Sequence, residues 1–530
     1  MSIAPYTSDS VSRKAGGIIL SMMQLLKVRE AQGIKDFSFA AGLPDGKVHE
    51  TIRETIGKQA GGTRSAYEAY TSGPALHAAG LTSERELKPG IAAFHKKHFG
   101  VDFAPDEVGV CEGSTPVLTE TVRLIQKRWP GSPTLFIHPP YQVMLEMTKK
   151  EGSKIDTTAR LRTSLDIDDG GEPFQKERWH LDLGSVRQAL QNNREHAHGL
   201  FYLNFPANPT GYSPTADEYK QLVEVILSDM KEREQAGLAP LVLLEDIVYA
   251  AMMHDGKKYY SLHNAIQDLR YKSSDAERLR LLDVLDQSSI TVHSFSKAHS
   301  VPGHRIGYYA CKNLDLRADI RSRIDDHELV LNTATLAGMK AILEIGDFDQ
   351  DKIQDYGNRV SLLEKGLNDI ARRWLTKDTP ETADGEFAQF VRKNLPLPAK
   401  ADGGFFVTGF FNFLKGQTID TGTIREIRQQ IQEIPGEEFR KEFEGTFENN
   451  TINNAKDAAL WLMAKAHVLV VPIAPADASD KNLIFRFSVG QQNTDAIQTA
   501  LQNIEEAFQS LKPPRYRATA AAPMTPAGVS

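Results

Sequence analysis

The sequence predicts an α/β protein, and three observations predict it. Gly199–Asn204 and Leu241–Asp246 are continuous apolar runs without polar alternation, the pattern of strands in a sheet covered on both faces. Between them, residues 216–234 carry apolar side chains at helical spacing, so strand, helix and strand follow one another. A further strand-like run, Ser289–His293, leads into a turn holding Ser294, Ser296, Lys297, Pro302 and Gly303, and Arg305–Ala310 leads out of it. A lysine at the end of an apolar strand is unusual, because burying an ammonium without a partner is costly. Its deprotonated amine is what Schiff-base chemistry requires.

At 530 residues the chain has room for two or three domains and an extensive core. Hydrophobic residues at 41% and charged residues at 25% fit a soluble globular protein. A net charge of −7 argues against a general nucleic-acid or membrane binder. The two cysteines, Cys111 and Cys311, provide no disulfide framework and fit inert buried thiols in a reducing cytoplasm. No run approaches the roughly 20 apolar residues of a membrane span, and the start lacks a secretory pattern. No metal is expected.

Taken in order, residues 1–17 read as a loose polar arm, Ile18–Val28 as an amphipathic helix and Asp36–Ala40 as a short strand ending in a Gly42-Leu43-Pro44-Asp45 turn. Residues 63–80 are rich in small side chains and carry Tyr67 and Tyr70. Leu87, Ile91 and Phe94 recur at helical spacing, which predicts a helix over 85–98. Val108–Cys111 is a strand, and Gly113-Ser114-Thr115 opens a helix running from Val117 through Ile125. That helix start offers free backbone N–H groups at a positive dipole end, suited to phosphate, although Ser and Thr there also serve as a plain N-cap. Thr134–His138 is a strand followed by Pro139-Pro140-Tyr141, and residues 152–183 read as a charged insertion. Asn208-Pro209-Thr210-Gly211 follows the strand ending at Asn204.

Asp246 closes its apolar run, where a carboxylate needs a cationic partner or caps a turn. Residues 256–286 are polar and helical, and 313–346 with 350–375 should include a long connection to a second domain. After a Pro- and charge-rich stretch over 376–402, Gly403–Val407 reads as a strand and 415–455 as a second insertion containing a Pro435-Gly436 turn. Val468–Pro472 is a strand. Leu483–Val489 is another, with Arg486 in its middle, where a guanidinium should meet a planar anion or an internal salt bridge. Residues 513–530 read as a mobile tail.

These pieces, in this order, resemble the class I/II aminotransferases, the fold-type I enzymes that use pyridoxal phosphate (PLP). Ser294-Phe295-Ser296-Lys297 precedes Arg305-Ile306-Gly307 by the family's spacing, with Arg305 eight residues after Lys297. Gly42–Asp45, Asn208–Gly211, Asp246 with Tyr249, Gly403-Gly404-Phe405 and Arg486 match further family landmarks. The likeness spans about residues 18–510, in islands; Ile473–Asp477 departs from the family's pattern and bears on substrate preference.

The resemblance implies a PLP-dependent transferase fold like that of aspartate aminotransferase. Its large domain has a mostly parallel seven-stranded sheet, joined by a smaller α/β domain built from both chain ends. Residues 1–48 would be an arm and part of the small domain, 49–325 the large PLP-binding domain, 326–512 the small domain with insertions and 513–530 the tail. In the implied roles Lys297, Asp246 and Tyr249 are catalytic. PLP is held by Ser114, Thr115, Tyr141, Asn208, Asp246, Tyr249, Ser294, Ser296, Lys297 and Arg305, with Tyr70 reaching the phosphate of a neighbouring subunit. Arg486, Gly42 and Asn208 meet the substrate.

The implied function is aminotransfer between an amino acid and a 2-oxo acid through a Lys297 aldimine, in a homodimer with shared active sites. Another fold-type I reaction, by a β-decarboxylase, lyase or racemase, would keep the same landmarks. A PLP-sensing transcription regulator would need a DNA-binding module ahead of the Gly42 turn, where too few residues stand. A catalytically dead scaffold would be expected to lose Lys297 or Asp246.

Overall fold

A computed structural model describes residues 17–60, 82–164, 178–328, 331–376, 401–474 and 482–511. Its largest sheet has seven strands in the order β2-β10-β9-β8-β7-β3-β4, namely Val108–Glu112, Ile306–Ala310, Ser289–Ser294, Val242–Asp246, Leu200–Asn204, Pro133–Phe136 and Lys154–Asp156. Strand β10 alone runs against its neighbours; β9, β8, β7, β3 and β4 pair in parallel.

Strand alternation divides the side chains between the two faces. Leu200, Tyr202, Val242, Leu244, Ile290 and Val292 pack with Val117, Leu118 and Val122 of the helix Thr115–Arg128. Phe201, Leu203 and Leu243 face the other way, into a core shared with Tyr219, Leu222 and Ile226 of the helix Ala216–Gln235. That helix begins with a capping box, in which Thr215 accepts the Glu218 N–H and Glu218 accepts the Thr215 N–H, a device worth about 1 kcal/mol.

Adjacent carboxylates on β8 have opposite fates. Glu245 is fully buried and accepts from the Tyr219 and Tyr259 hydroxyls, the Leu262 N–H and the Thr291 hydroxyl. It ties the sheet to its helices and has no capacity left for a ligand. Asp246 points to the opposite face.

The small domain carries a three-stranded antiparallel sheet, β11-β14-β13 (Phe406–Phe410, Ile484–Ser488, Val471–Pro472), and a parallel pair of β1 (Phe37–Ser38) with β12 (Val468–Leu469). Both chain ends therefore meet there. Helix Gln350–Thr376 packs against β11 and the helix Thr494–Gln509.

Several elements differ from the sequence reading. The run Val468–Pro472 is divided between two sheets, because Val468 and Leu469 pair with β1 while Val471 and Pro472 pair with β14. Residues 152–183 are more than an insertion: β4 forms the edge of the main sheet, and β5 (Leu161–Ser164) with β6 (Arg178–Leu181) makes a hairpin. The indole of Trp179 donates from that hairpin to Thr408 Oγ1 at 2.9 Å. The segment 256–286 is helical as expected, divided into two helices, Leu262–Tyr271 and Ala276–Gln287. The strand expected from Gly403 begins only at Phe406, since Gly404 adopts a φ of 76° and turns the chain. Within 313–346, helices Leu314–Glu328 and Thr333–Ile345 pack on the helices Thr115–Arg128 and Glu50–Ala60, so the long connection is Gln350–Thr376. The expected arm (1–16), most of the Pro-rich stretch (377–400), Pro475-Ala476-Asp477 and the tail lie outside the described residues.

Candidate active site

In a mostly parallel sheet the carboxyl ends of the strands share one edge, and the loops leaving them build ligand sites. Here β2 delivers Ser114 and Thr115, β3 delivers Tyr141, β7 delivers Asn208, β8 delivers Asp246 and Tyr249, and β9 delivers Ser294, Ser296 and Lys297. Because β10 is reversed, Arg305 enters at the same edge. The small domain adds Arg486 from β14, and the segment after β1 adds Gly42. All of these line one cavity of about 2070 Å³. Tyr70 lies outside the described residues.

Lys297 donates to the Gly42 carbonyl at 2.5 Å, with its Nζ 6.0 Å from the centre of the Tyr249 ring and 5.9 Å from that of Phe405. Burial, then the positive charges of Arg486 and Arg305, press its amine down to about 8, against the pull of Asp246. Asp246 is 2% exposed, and burial pushes its carboxyl up to about 6. Opposing burial are the Tyr202 hydroxyl, donating to Oδ2 at 2.8 Å, the Val248 N–H, at 3.4 Å from Oδ1, and the charge of Lys297. The Val248 contact is the loose turn-capping bond foreseen for an aspartate here.

Two arginines in the cavity have no carboxylate partner among the described residues. Arg305 spends its donors on the Pro302 carbonyl at 3.3 Å and on Thr115 Oγ1 at 3.4 Å. It sits over Gly113, whose φ is 75° and where a Cβ would come within 2.4 Å of Arg305 Nη2. Glycine is what lets the guanidinium lie against this turn. Ser294 and Ser296 share a hydrogen bond of 2.8 Å beside it. Arg486 is 5% exposed, donates to the Ala40 carbonyl and to Asn208 Oδ1 (3.1 Å), and leaves its buried Nε without a partner. Burial lowers its pKa to about 10, which keeps it cationic at neutral pH. The internal salt bridge considered for it is not found among the described residues. The Phe406 ring, 5.0 Å from the guanidinium carbon, packs between Arg486 and Tyr249. Burial, then the charge of Asp246, pushes the Tyr141 phenol up to about 12, so it is neutral.

A family model described as aminotransferase class I and II matches residues 37–372. The chain belongs to this family. An LL-diaminopimelate aminotransferase of Methanococcus maripaludis is 25% identical over 341 residues, covering 61% of this chain and 68% of that one. An aspartate aminotransferase of Sulfolobus acidocaldarius is 26% identical over 314 residues, covering 59% and 64%. The chain thus spans about two thirds of the length of these curated relatives. The solved aspartate aminotransferase of Rhizobium meliloti superposes with a TM-score of 0.65 at 18% identity, over 96% of this chain and all of that one, which shows the shared fold. The β-decarboxylase, lyase and racemase readings find no support in these relatives' names.

For an aminotransferase the donor set fits PLP, the cofactor this family implies. A buried carboxylate with spare acceptor capacity suits a ring nitrogen, a low-pKa amine suits an aldehyde, and two guanidiniums without carboxylates suit a phosphate and a substrate carboxylate. Sequence reasoning missed three contributors. Tyr202 donates to Asp246, and Asn204 holds the Asn208 N–H at 2.9 Å and the Asp246 carbonyl at 3.2 Å. The third is the segment after Pro435, whose Glu438, Lys441 and Glu442 line the cavity, so the expected insertion 415–455 reaches the site. Asn204 left a signal, a polar residue closing an apolar strand. The other two left none.

Proposed function

We propose that this aminotransferase-family enzyme moves an amino group between an amino acid and a 2-oxo acid with PLP held on Lys297. The observation that carries the reading is the convergence, in one cavity, of an amine pressed down to about 8, a buried carboxylate and two arginines without carboxylate partners. When bound, PLP supplies a conjugated ring that takes up electron density from the substrate α-carbon.

The chain supplies the rest. Arg305, Ser114, Thr115, Ser294 and Ser296 would hold the phosphate, Tyr141 would pack against the ring, and Asn208 and Tyr249 would offer donors to its oxygen. Asp246 would hold a proton on the ring nitrogen, because a carboxylate beside it favours the cationic form. Arg486 orients the substrate carboxylate, with the Gly42 backbone alongside. The Lys297 amine, poised near neutrality, would take the proton from Cα and return it to the cofactor carbon on the other side of the amino nitrogen. Further parts of the reading are a homodimer in which Tyr70 serves the neighbouring subunit's phosphate, and a cytoplasmic location. Among the described residues no helix is long and apolar enough to cross a membrane.

The test is a half-reaction. PLP-loaded protein given its amino acid alone should release one equivalent of oxo acid and stop, then resume when an oxo acid is added. Repeated turnover without an acceptor would overturn the transaminase reading and point to decarboxylation or racemisation.

A further inference from the structure

We propose that Tyr202, inside β7, is the positioning residue that orients Asp246 and holds it as a carboxylate; the proposal rests on the role given to Asp246 above. In the β7–β8 pairing Asn204 stands opposite Asp246, and Tyr202 opposite Leu244. Alternation puts all four side chains on one face. The Tyr202 ring therefore lies diagonally behind Asp246, and its hydroxyl donates to Oδ2 at 2.8 Å. Tyr202 is 2% exposed, and its ring is held by Phe136 of β3 at a centroid distance of 5.5 Å. It does not line the main cavity, so it acts through Asp246 and touches no ligand itself.

Two consequences follow from this geometry. First, Oδ2 is committed to the phenol, while Oδ1 takes only the 3.4 Å contact from Val248. Oδ1 is thus the oxygen with capacity for a cationic donor entering the cavity. Second, the phenol opposes burial, which would otherwise favour the uncharged acid. Among the described residues the other titratable groups that feel the charge of Asp246 are the neutral phenols of Tyr141 and Tyr249 and the amine of Lys297, with the neutral Tyr259 on the opposite face, bonded to Glu245. The Tyr202 hydroxyl is built into β7 and does not depend on the state of Lys297, so it is a constant support for the carboxylate.

The test compares wild type with Tyr202→Phe, which keeps the ring against Phe136 and removes only the hydroxyl. In PLP-free protein the carboxyl band of Asp246, assigned by its absence in Asp246→Asn, is titrated by infrared difference spectroscopy. A hydrogen bond to a charged group is worth about 1.5–3 kcal/mol, so the midpoint should rise by about one to two pH units in Tyr202→Phe. In PLP-loaded protein the acid limb of kcat should move up in parallel, with KM nearly unchanged. In an Asp246→Asn background Tyr202→Phe should leave PLP affinity unaltered. An unshifted midpoint, or an equal effect of Tyr202→Phe in both backgrounds, would reduce Tyr202 to packing and overturn the proposal. Wild-type protein that takes up no PLP would instead sink the reading of Asp246, while the infrared titration still decides what Tyr202 does.

Discussion

Replacing Arg486 by lysine isolates the planar fork from the charge. The guanidinium is 5% exposed, with one donor on Asn208 and one on the Ala40 carbonyl, and its Nε without a partner. Lysine keeps the positive charge over Phe406 but reaches a carboxylate through a single point, so one charge-assisted hydrogen bond is lost. At about 1.5–3 kcal/mol this lowers kcat/KM for the amino acid by about 10- to 150-fold. Arg486→Ala also leaves Asn208 and Ala40 without their donor and should fall further. The PLP dissociation constant, read from the visible spectrum, should stay within about twofold in Arg486→Lys, because on the proposed reading Arg305 and the serines, not Arg486, would hold the phosphate. Steady-state kinetics over an amino-acid panel, paired with PLP titration, makes the comparison. Equal weakening of cofactor and amino acid would show that Arg486 holds the small domain together and does not read the substrate.

Asp246→Ala should retain part of its PLP affinity and lose nearly all turnover, since on the proposed reading the ring nitrogen would then lack its anionic partner; wild-type turnover would remove Asp246 from the mechanism. Acid should destabilise the fold well before ordinary carboxylates titrate. Burial first, then neighbouring histidines, holds His95 well below its usual range and His299 at about 3, while burial sets His293 at about 4. Below about pH 6.5 the unfolded chain binds these protons and the native one does not, so each costs up to about 1.4 kcal/mol per pH unit down to its folded value. Asp246, raised to about 6, and Asp229 and Asp457, also raised by burial, bind their protons more tightly when folded and oppose this, while His98 and His198, the latter lowered by burial to about 4, add to the acid sensitivity. Tm measured at about pH 7.5 and about pH 5 should therefore fall; an equal or higher Tm at the lower pH would contradict it.

What was legible in the sequence was whatever local pattern carries. Asn208, Asp246 and Lys297 each follow an apolar strand, and such strands end at a common edge when the sheet is parallel, so their convergence could be read from spacing and order. Tyr202 could not, because a tyrosine within an apolar run reads as core; its partner is set by the β7–β8 register, a tertiary fact. Strand β4 is three residues in a charged stretch, and pairing with β3 decides its state, not propensity. The helix Glu437–Lys441 reads as part of a charged insertion until it packs against Gly17–Ala31 and lines the cavity. Val468–Pro472 reads as one strand because nothing local reveals that its two halves join different sheets.

The most direct measurement is the site of cofactor attachment. PLP-loaded protein reduced with borohydride, digested and mapped by mass spectrometry should carry the pyridoxyl group on the peptide containing Lys297, whose amine is pressed down to about 8 in the cavity. Lys297→Ala should yield colourless protein with no such label. A pyridoxyl group on another lysine, or a reducible linkage persisting in Lys297→Ala, would contradict the account.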